Sequence, residues 1–180
     1  MKKDRIKKPK KRIKWGVTIP YCKYKAKHRI VDIASSFNMF FKETGIYYDD
    51  NYKIGIHNQE IEIAKWLCNK FGGFINCLTE EDNKPNYDYN WNEEAWELKT
   101  LLNASLNTIH GRVCDAVKQI SCSKNPVGII LDLTNNQNNL KNIKGAINRA
   151  LDSPNREIDV IVMIKIDNEA VSILKHEKNT

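Results

Sequence analysis

The stretch from Ala95 to Leu133 most constrains what this chain can fold into. Ala95–Leu101 has the alternation of a strand. Asn107–Ile120 carries Ile109, Val113, Ala116, Val117 and Ile120 on one helical face, and Val127–Leu133 is a short, almost wholly apolar run. A strand, a crossover helix and a second strand imply parallel pairing with a right-handed connection. An apolar run of that length belongs to a strand buried on both faces. The expected class is α/β, with a mixed sheet between helical layers.

The flanking sequence extends this pattern. Asn58–Phe71 is amphipathic at helical spacing and closes on Gly72-Gly73, a helix stop. Phe74–Leu78 reads as a strand and Glu80–Asn86 as a polar loop. Tyr87–Tyr89 and Ala95–Leu101 read as strands joined by a turn over Asn90–Glu94. Leu140–Leu151 is helical up to Ser153-Pro154, and Ile158–Ile166 and Ala170–Leu174 form two strands turning at Asp167-Asn168. The order after residue 57 is an αβββαβ core with a C-terminal αββ extension, a three-layer-like sandwich around a central mixed sheet. Upstream, Ile30–Phe41 has the spacing of a short helix. The expected organisation is a disordered basic tail over 1–14, an N-terminal extension over 15–56 and a single domain over 57–180.

The net charge of +7 is uneven. Residues 1–14 hold nine Lys or Arg against one Asp, and the remaining chain holds 20 basic against 21 acidic residues. The basic character is therefore a property of the tail, which is suited to salt-sensitive contact with nucleic-acid phosphates. Lys23, Lys25, Lys27 and Arg29, interleaved with Tyr21 and Tyr24, continue it. No apolar run approaches the roughly 20 residues of a membrane span, and no apolar segment follows the basic N-terminus as in a secretory signal. The five cysteines, Cys22, Cys68, Cys77, Cys114 and Cys122, are odd in number and form no CxxC pair. Buried free thiols in a cytoplasmic protein are expected, rather than a zinc site or a disulfide framework.

Chemistry concentrates at Glu97-Leu98-Lys99. Alternation sends Glu97 and Lys99 to one face of the strand and Trp96 and Leu98 to the other. Asp88 lies nine residues upstream, across a hairpin. Glu60 falls at the edge of the inward stripe of the Asn58–Phe71 helix, with Ile63, Ala64, Leu67 and Phe71, whereas Glu62 falls on the wet side with Lys65 and Asn69. Carboxylate oxygens are hard ligands suited to Mg²⁺ or Mn²⁺, and such a cation polarises a phosphoryl oxygen and acidifies a bound water. Glu60, Asp88 and Glu97 are the candidate metal ligands. Lys99 is the candidate for orienting the water or stabilising charge that develops on phosphate. The plain alternative is an ordinary charged strand face.

Glu60, Asp88 and Glu97-Leu98-Lys99, in αβββαβ order, resemble the PD-(D/E)xK nuclease superfamily over roughly residues 57–135. Phe71-Gly72-Gly73, Trp96-Glu97-Leu98-Lys99, Asn107-Thr108-Ile109, Lys118-Gln119 and Ile129–Leu133 resemble a narrower set, the C-terminal nuclease domains of bacterial contact-dependent and other polymorphic toxins. The resemblance implies metal-dependent hydrolysis of phosphodiesters, with structured RNA such as tRNA as substrate. It also implies a neutralising immunity partner and delivery into a target cell. A DNA endonuclease and a non-catalytic nucleic-acid-binding module are the alternatives. The chain departs from the family pattern at Pro85-Asn86-Tyr87-Asp88. Either Asp88 is the ligand or Asn86 holds its place; the hairpin spacing to Glu97 favours Asp88.

Thr108, Arg112 and Gln119 flank the apolar stripe of the second helix as candidates for contacting phosphate, with Arg112 as a clamp. Ser105 and Asn107 read as caps of that helix. His57, His110, His28 and His176 offer a metal-free ribonuclease alternative, with His57 one turn before Glu60. Tyr87, Tyr89 and Trp91 crowd the hairpin, as base-stacking groups or as packing.

Overall fold

The strand–helix–strand unit at the centre of the sequence is also the centre of the molecule. The computed structural model describes residues 11–14, 17–20, 28–32, 41–79, 87–152 and 159–178. In chain order these form β1 (Lys11–Lys14), β2 (Val17–Pro20), β3 (His28–Asp32), β4 (Thr44–Tyr48), α1 (Asn58–Phe71), β5 (Gly73–Cys77), β6 (Tyr89–Trp91), β7 (Glu94–Thr100), α2 (Leu106–Ile120), β8 (Pro126–Asp132), α3 (Leu140–Leu151), β9 (Ile161–Ile166) and β10 (Glu169–Lys178). β1 and β2 pair as a two-stranded sheet. The other eight strands form one mixed sheet in the order β3-β10-β9-β8-β7-β6-β5-β4. β7, β8 and β9 run parallel, as do β4 and β5, while β6 is antiparallel to both neighbours.

Two apolar clusters fill the faces of the sheet. Ile109, Val113, Ala116, Val117 and Ile120 of α2 pack with Ile143, Ala146 and Ile147 of α3 against Ile129, Leu131 and Val162. Ile63, Ala64, Leu67 and Phe71 of α1 pack on the opposite face against Ile75, Tyr89, Trp91, Trp96, Leu98 and Ile130. The result is the three-layer α/β sandwich expected from the sequence. β8 explains why: Ile129 and Leu131 belong to one cluster and Ile130 to the other, so the whole run is buried.

Several local expectations change. The spacing that suggested a helix over Ile30–Phe41 is overridden at its start, because His28–Asp32 pairs antiparallel with β10. The unpaired edge of β10 supplies a ladder of hydrogen bonds to the β-branched pair Ile30-Val31; residues 33–40 lie outside the described residues. Lys11–Lys14, assigned to a disordered tail, pair with Val17–Pro20, and residues 1–10 lie outside the described residues. The extension over 15–56 supplies β3 and β4, both edges of the main sheet, so it is continuous with the rest. The hairpin is tighter than expected: Asn92 and Glu93, with φ of 49° and 68°, alone make the turn. Positive φ at both central residues matches the right-handed twist of the flanking strands. Asn92 Oδ1 also accepts from the Phe74 amide at 2.9 Å, tying the turn to β5.

Two glycines are required where they stand. Gly72 has φ +74°, and a Cβ there would meet the Phe41 carbonyl oxygen at 2.1 Å. Its own carbonyl accepts from Trp91 Nε1 at 3.0 Å. Gly128 on β8 faces the Trp96 ring, which a Cβ would meet at 2.1 Å. Trp96 is fully buried and is not the flexible tip of a side chain. Gly128→Ala is therefore expected to cost about 1–3 kcal/mol through overpacking, read as a lower urea midpoint with an unchanged m-value.

Candidate active site

Alternation along β7 creates the site. Trp96 and Leu98 are buried in the cluster beneath α1, so Glu97 and Lys99 point to the other face. Glu97 is only 1% exposed. Lys99 Nζ donates to Glu97 Oε1. The second oxygen, Glu97 Oε2, is buried without a hydrogen-bond partner.

Asp88 enters this face from the start of β6. Its Oδ2 accepts from the Leu98 amide at 2.7 Å, and its carbonyl accepts from the Leu78 amide at 3.0 Å. Both neighbouring strands thus hold it. The Asp88 and Glu97 carboxyls are close enough for one to hydrogen-bond the other when one is protonated. Burial raises the pKa of both. The Asp88 charge raises Glu97 further, against the pull of Lys99. The Glu60 charge raises Asp88, against the Leu98 amide and Lys99.

Glu60 approaches from the first turn of α1. Tyr52 Oη donates to its Oε2 at 2.9 Å, and His57 Nδ1 lies 2.9 Å from its Oε1. Tyr89 Oη donates to its backbone carbonyl at 2.6 Å. Glu62 instead is exposed and pairs with Lys65 at 2.9 Å. The acidic character of the pocket also reaches Cys77, whose thiol is pushed up to about 12 by burial first and then by Glu60.

The structure thus brings Asp88, Glu97 and Lys99 together directly, and Glu60 through its field. Among the described residues no group of three or more His, Cys, Asp or Glu side chains is placed to hold a metal ion. A buried carboxylate oxygen without a donor, beside a second carboxylate, is nevertheless the donor set a hard cation satisfies. Mg²⁺ commonly takes one or two carboxylates and completes its shell with water and substrate oxygens.

The helix candidates stand apart. Thr108 is exposed, and its Oγ1 lies 3.0 Å from Ser105 Oγ. Ser105 caps α2 by accepting from the Thr108 amide at 3.2 Å. Asn107 lies inside the helix and is not its cap. Arg112 is exposed and Gln119 half-buried; neither they nor Thr108 hydrogen-bonds Asp88, Glu97 or Lys99. Asn86 lies outside the described residues. Tyr89 and Trp91 are fully buried and therefore pack rather than stack on a ligand. Of the cysteines, Cys68 and Cys77 are buried free thiols as expected, whereas Cys114 is half-buried and Cys122 exposed. Tyr52, which holds Glu60, escaped the sequence reading, because a lone tyrosine in an irregular segment carries no periodic signal.

A second acid–lysine pair occupies the opposite face of the sheet. Lys165 Nζ lies 3.3 Å from Asp132 Oδ1, 3.1 Å from Thr134 Oγ1 and 5.6 Å from the centre of the Trp66 ring. These residues wall a cavity of about 760 Å³ beside α1.

No protein-family model matches the chain, and no curated protein matches it. Among solved structures, the CdiA-CT/CdiI toxin and immunity complex from Burkholderia pseudomallei aligns with 17% identity and a TM-score of 0.43, covering 73% of this chain and 92% of that one. Among the described residues no helix is long and apolar enough to cross a membrane.

The raised acids set the sign of a pH effect. A carboxyl whose folded pKa exceeds its unfolded value makes the folded state bind more protons in the intervening range. For Glu97, raised from 4.5 to about 8, stability falls as pH rises through that window. Without divalent cation, Glu97→Gln is expected to raise stability at pH 8 by on the order of 1 kcal/mol or more, seen as a higher melting temperature. The gain should shrink towards pH 5. Thermal denaturation across pH in EDTA checks this, and a variant less stable than the parent at pH 8 would contradict it.

Proposed function

We propose that the protein is a metal-dependent phosphodiesterase acting on nucleic acid. The observation that carries this reading is the buried, unpartnered Glu97 Oε2 beside Asp88, with the Lys99 amine on the same strand face. Asp88 and Glu97 would hold the cation, and Glu60 completes the acidic set from the helix side. When bound, Mg²⁺ or Mn²⁺ supplies charge neutralisation at the phosphoryl oxygen and acidifies water. Lys99, only partly exposed at 16%, would present its ammonium to the attacking oxygen and the phosphate. There it orients the water and stabilises the charge that develops. The water oxygen would form the new bond to phosphorus as the bond to one ester oxygen breaks, and a proton from the water would pass by way of solvent to the departing oxygen, leaving a phosphomonoester and a free hydroxyl. The raised acids restrict this chemistry to the deprotonated pair, so activity should rise with pH until both carboxyls have ionised.

The substrate proposed is structured RNA such as tRNA, which the toxin-like segments support. The same segments support a neutralising protein partner and entry into a target cell. A DNA endonuclease is the second reading, supported by the ExK motif alone.

Incubation with total tRNA and with plasmid DNA in Mg²⁺ or Mn²⁺ tests the proposal. The expected result is cleavage of RNA that EDTA abolishes and that Glu97→Gln and Lys99→Ala each reduce by about 100-fold or more, as for loss of a charged catalytic group. Cleavage surviving EDTA and both substitutions would overturn the metal mechanism. Binding without cleavage would leave a binding module, and cleavage of plasmid alone would move the substrate to DNA.

A further inference from the structure

Among the described residues, no helix covers the face that carries Glu97 and Lys99 where it continues as a floor across β6, β5 and β4. Register places Ala95, Asn90, Asn76 and Tyr47 in one row across four strands. Neighbouring strands lie about 4.8 Å apart, so the row spans roughly 14 Å. Two residues along a strand is about 7 Å, so Asn90 stands one row from Asp88 on the same side of the chain, as Ala95 does from Glu97. α2 and α3 cover β7, β8 and β9 on this face. Farther out, Tyr47 is 57% and Phe74 42% exposed.

The floor has the chemistry of a base-binding surface. Tyr47 and Phe74 stand side by side, with ring centroids 6.2 Å apart at an interplanar angle of 39°. With Asn76, Asn90, Asn92 and Glu93 they line a groove of about 380 Å³. Asn76 gives its amide hydrogen to Asp49 Oδ1 at 2.9 Å, which leaves its carbonyl oxygen as an acceptor. The half-buried Asn90 amide bonds no protein side chain among the described residues, so it offers both donors and acceptor. Asn and Gln amides match the donor–acceptor pattern of base edges, and exposed rings take the π-faces of unstacked bases. The groove has no lysine or arginine lining, so it is built for bases rather than phosphates.

We infer that the Tyr47–Phe74–Asn76–Asn90 floor binds the unpaired bases of the nucleic acid whose backbone reaches Asp88, Glu97 and Lys99. This rests on the proposed function for the identity of its occupant. The floor selects single-stranded or splayed nucleotides next to the bond to be cut, with Asn90 reading the base nearest the acidic pair.

Binding can be measured without cleavage. Glu97→Gln protein in EDTA would be titrated into fluorescein-labelled single-stranded oligonucleotides, ribose and deoxyribose, each with an abasic counterpart of equal length. The abasic strand keeps every phosphate, so the difference isolates the bases. Base-bearing strands should bind at least about tenfold tighter than abasic ones. Tyr47→Ala, Phe74→Ala and Asn90→Ala, added to Glu97→Gln, should each remove about 5-fold or more of that difference, in line with ~1–3 kcal/mol per stacked base, and leave abasic affinity unchanged. Tyr47 and Phe74 are exposed, so these variants should keep the parent melting temperature. Equal affinity for base-bearing and abasic strands would overturn the inference, as would no binding or variants that keep the full difference. Base-dependent binding by a protein that cleaves nothing would retain the floor and reject the nuclease. Cleavage with base-independent binding would do the reverse.

Discussion

A buried carboxyl, Glu97, and a half-buried one, Asp88, face each other between β6 and β7, and the surrounding fold holds them there. An ionised carboxylate removed from water is costly unless something bonds it. Asp88 is bonded by the Leu98 amide at 2.7 Å, and Glu97 by the Lys99 amine on one oxygen only. Both partners lie on β7, so the arrangement depends on the register of a single hairpin. A one-residue slip would send Glu97 and Lys99 under α1 and Trp96 to the far face. The two-residue turn at Asn92-Glu93, the Asn92 bond to β5 and the fit of Trp96 over Gly128 all resist that slip.

Legibility in the sequence followed the physical source of each signal. Helices α1, α2 and α3 and the doubly buried β8 were legible because core burial imposes strict periodicity, and their observed limits agree with the pattern to within a residue. The ExK strand was legible for the same reason. β3 was not, since five residues with two β-branched positions fit either period and only the edge of β10 decides between them. The choice between Glu60 and Glu62 was available from the helical stripe: the first bonds Tyr52 and His57 inward, the second pairs with Lys65 in solvent. Of the groups that hold Glu60, His57 was legible one turn before it, whereas Tyr52 was not. Tyr52 belongs to an irregular segment, eight residues before Glu60, that carries no periodic signal.

Aromatic positions show the limit most sharply. Tyr89 and Trp91 crowd the hairpin and fit either stacking or packing; alternation decides for packing by placing both beneath α1, where they are fully buried. The same alternation leaves Asn90 on the side of Asp88. The exposed rings come from β4 and β5, strands whose apposition depends on a parallel pairing across α1. A pattern within one strand reveals which side chains share a face; it does not reveal which strands continue that face.

The sheet contains an internal control for the meaning of its acid–lysine pairs. Asp132 and Lys165, on the face beneath α1, are as buried as Glu97. There the Asp132 Oδ1 accepts from the Thr134 amide at 3.2 Å and the Thr134 hydroxyl at 2.6 Å as well as from Lys165, and Lys165 lies over the Trp66 ring. The charges are compensated within the protein, as structural ion pairs require. Glu97 has a lysine of the same kind two residues away, yet one of its oxygens remains without a donor and its neighbour is another acid. One chain thus builds both arrangements in the same sheet. Among the described residues Asp132 has no buried oxygen that lacks a partner, unlike Glu97. The incompletely bonded pair requires a proton or a cation to complete it, and a site whose occupant can exchange between the two is suited to chemistry on phosphate in a way that Asp132 and Lys165 are not.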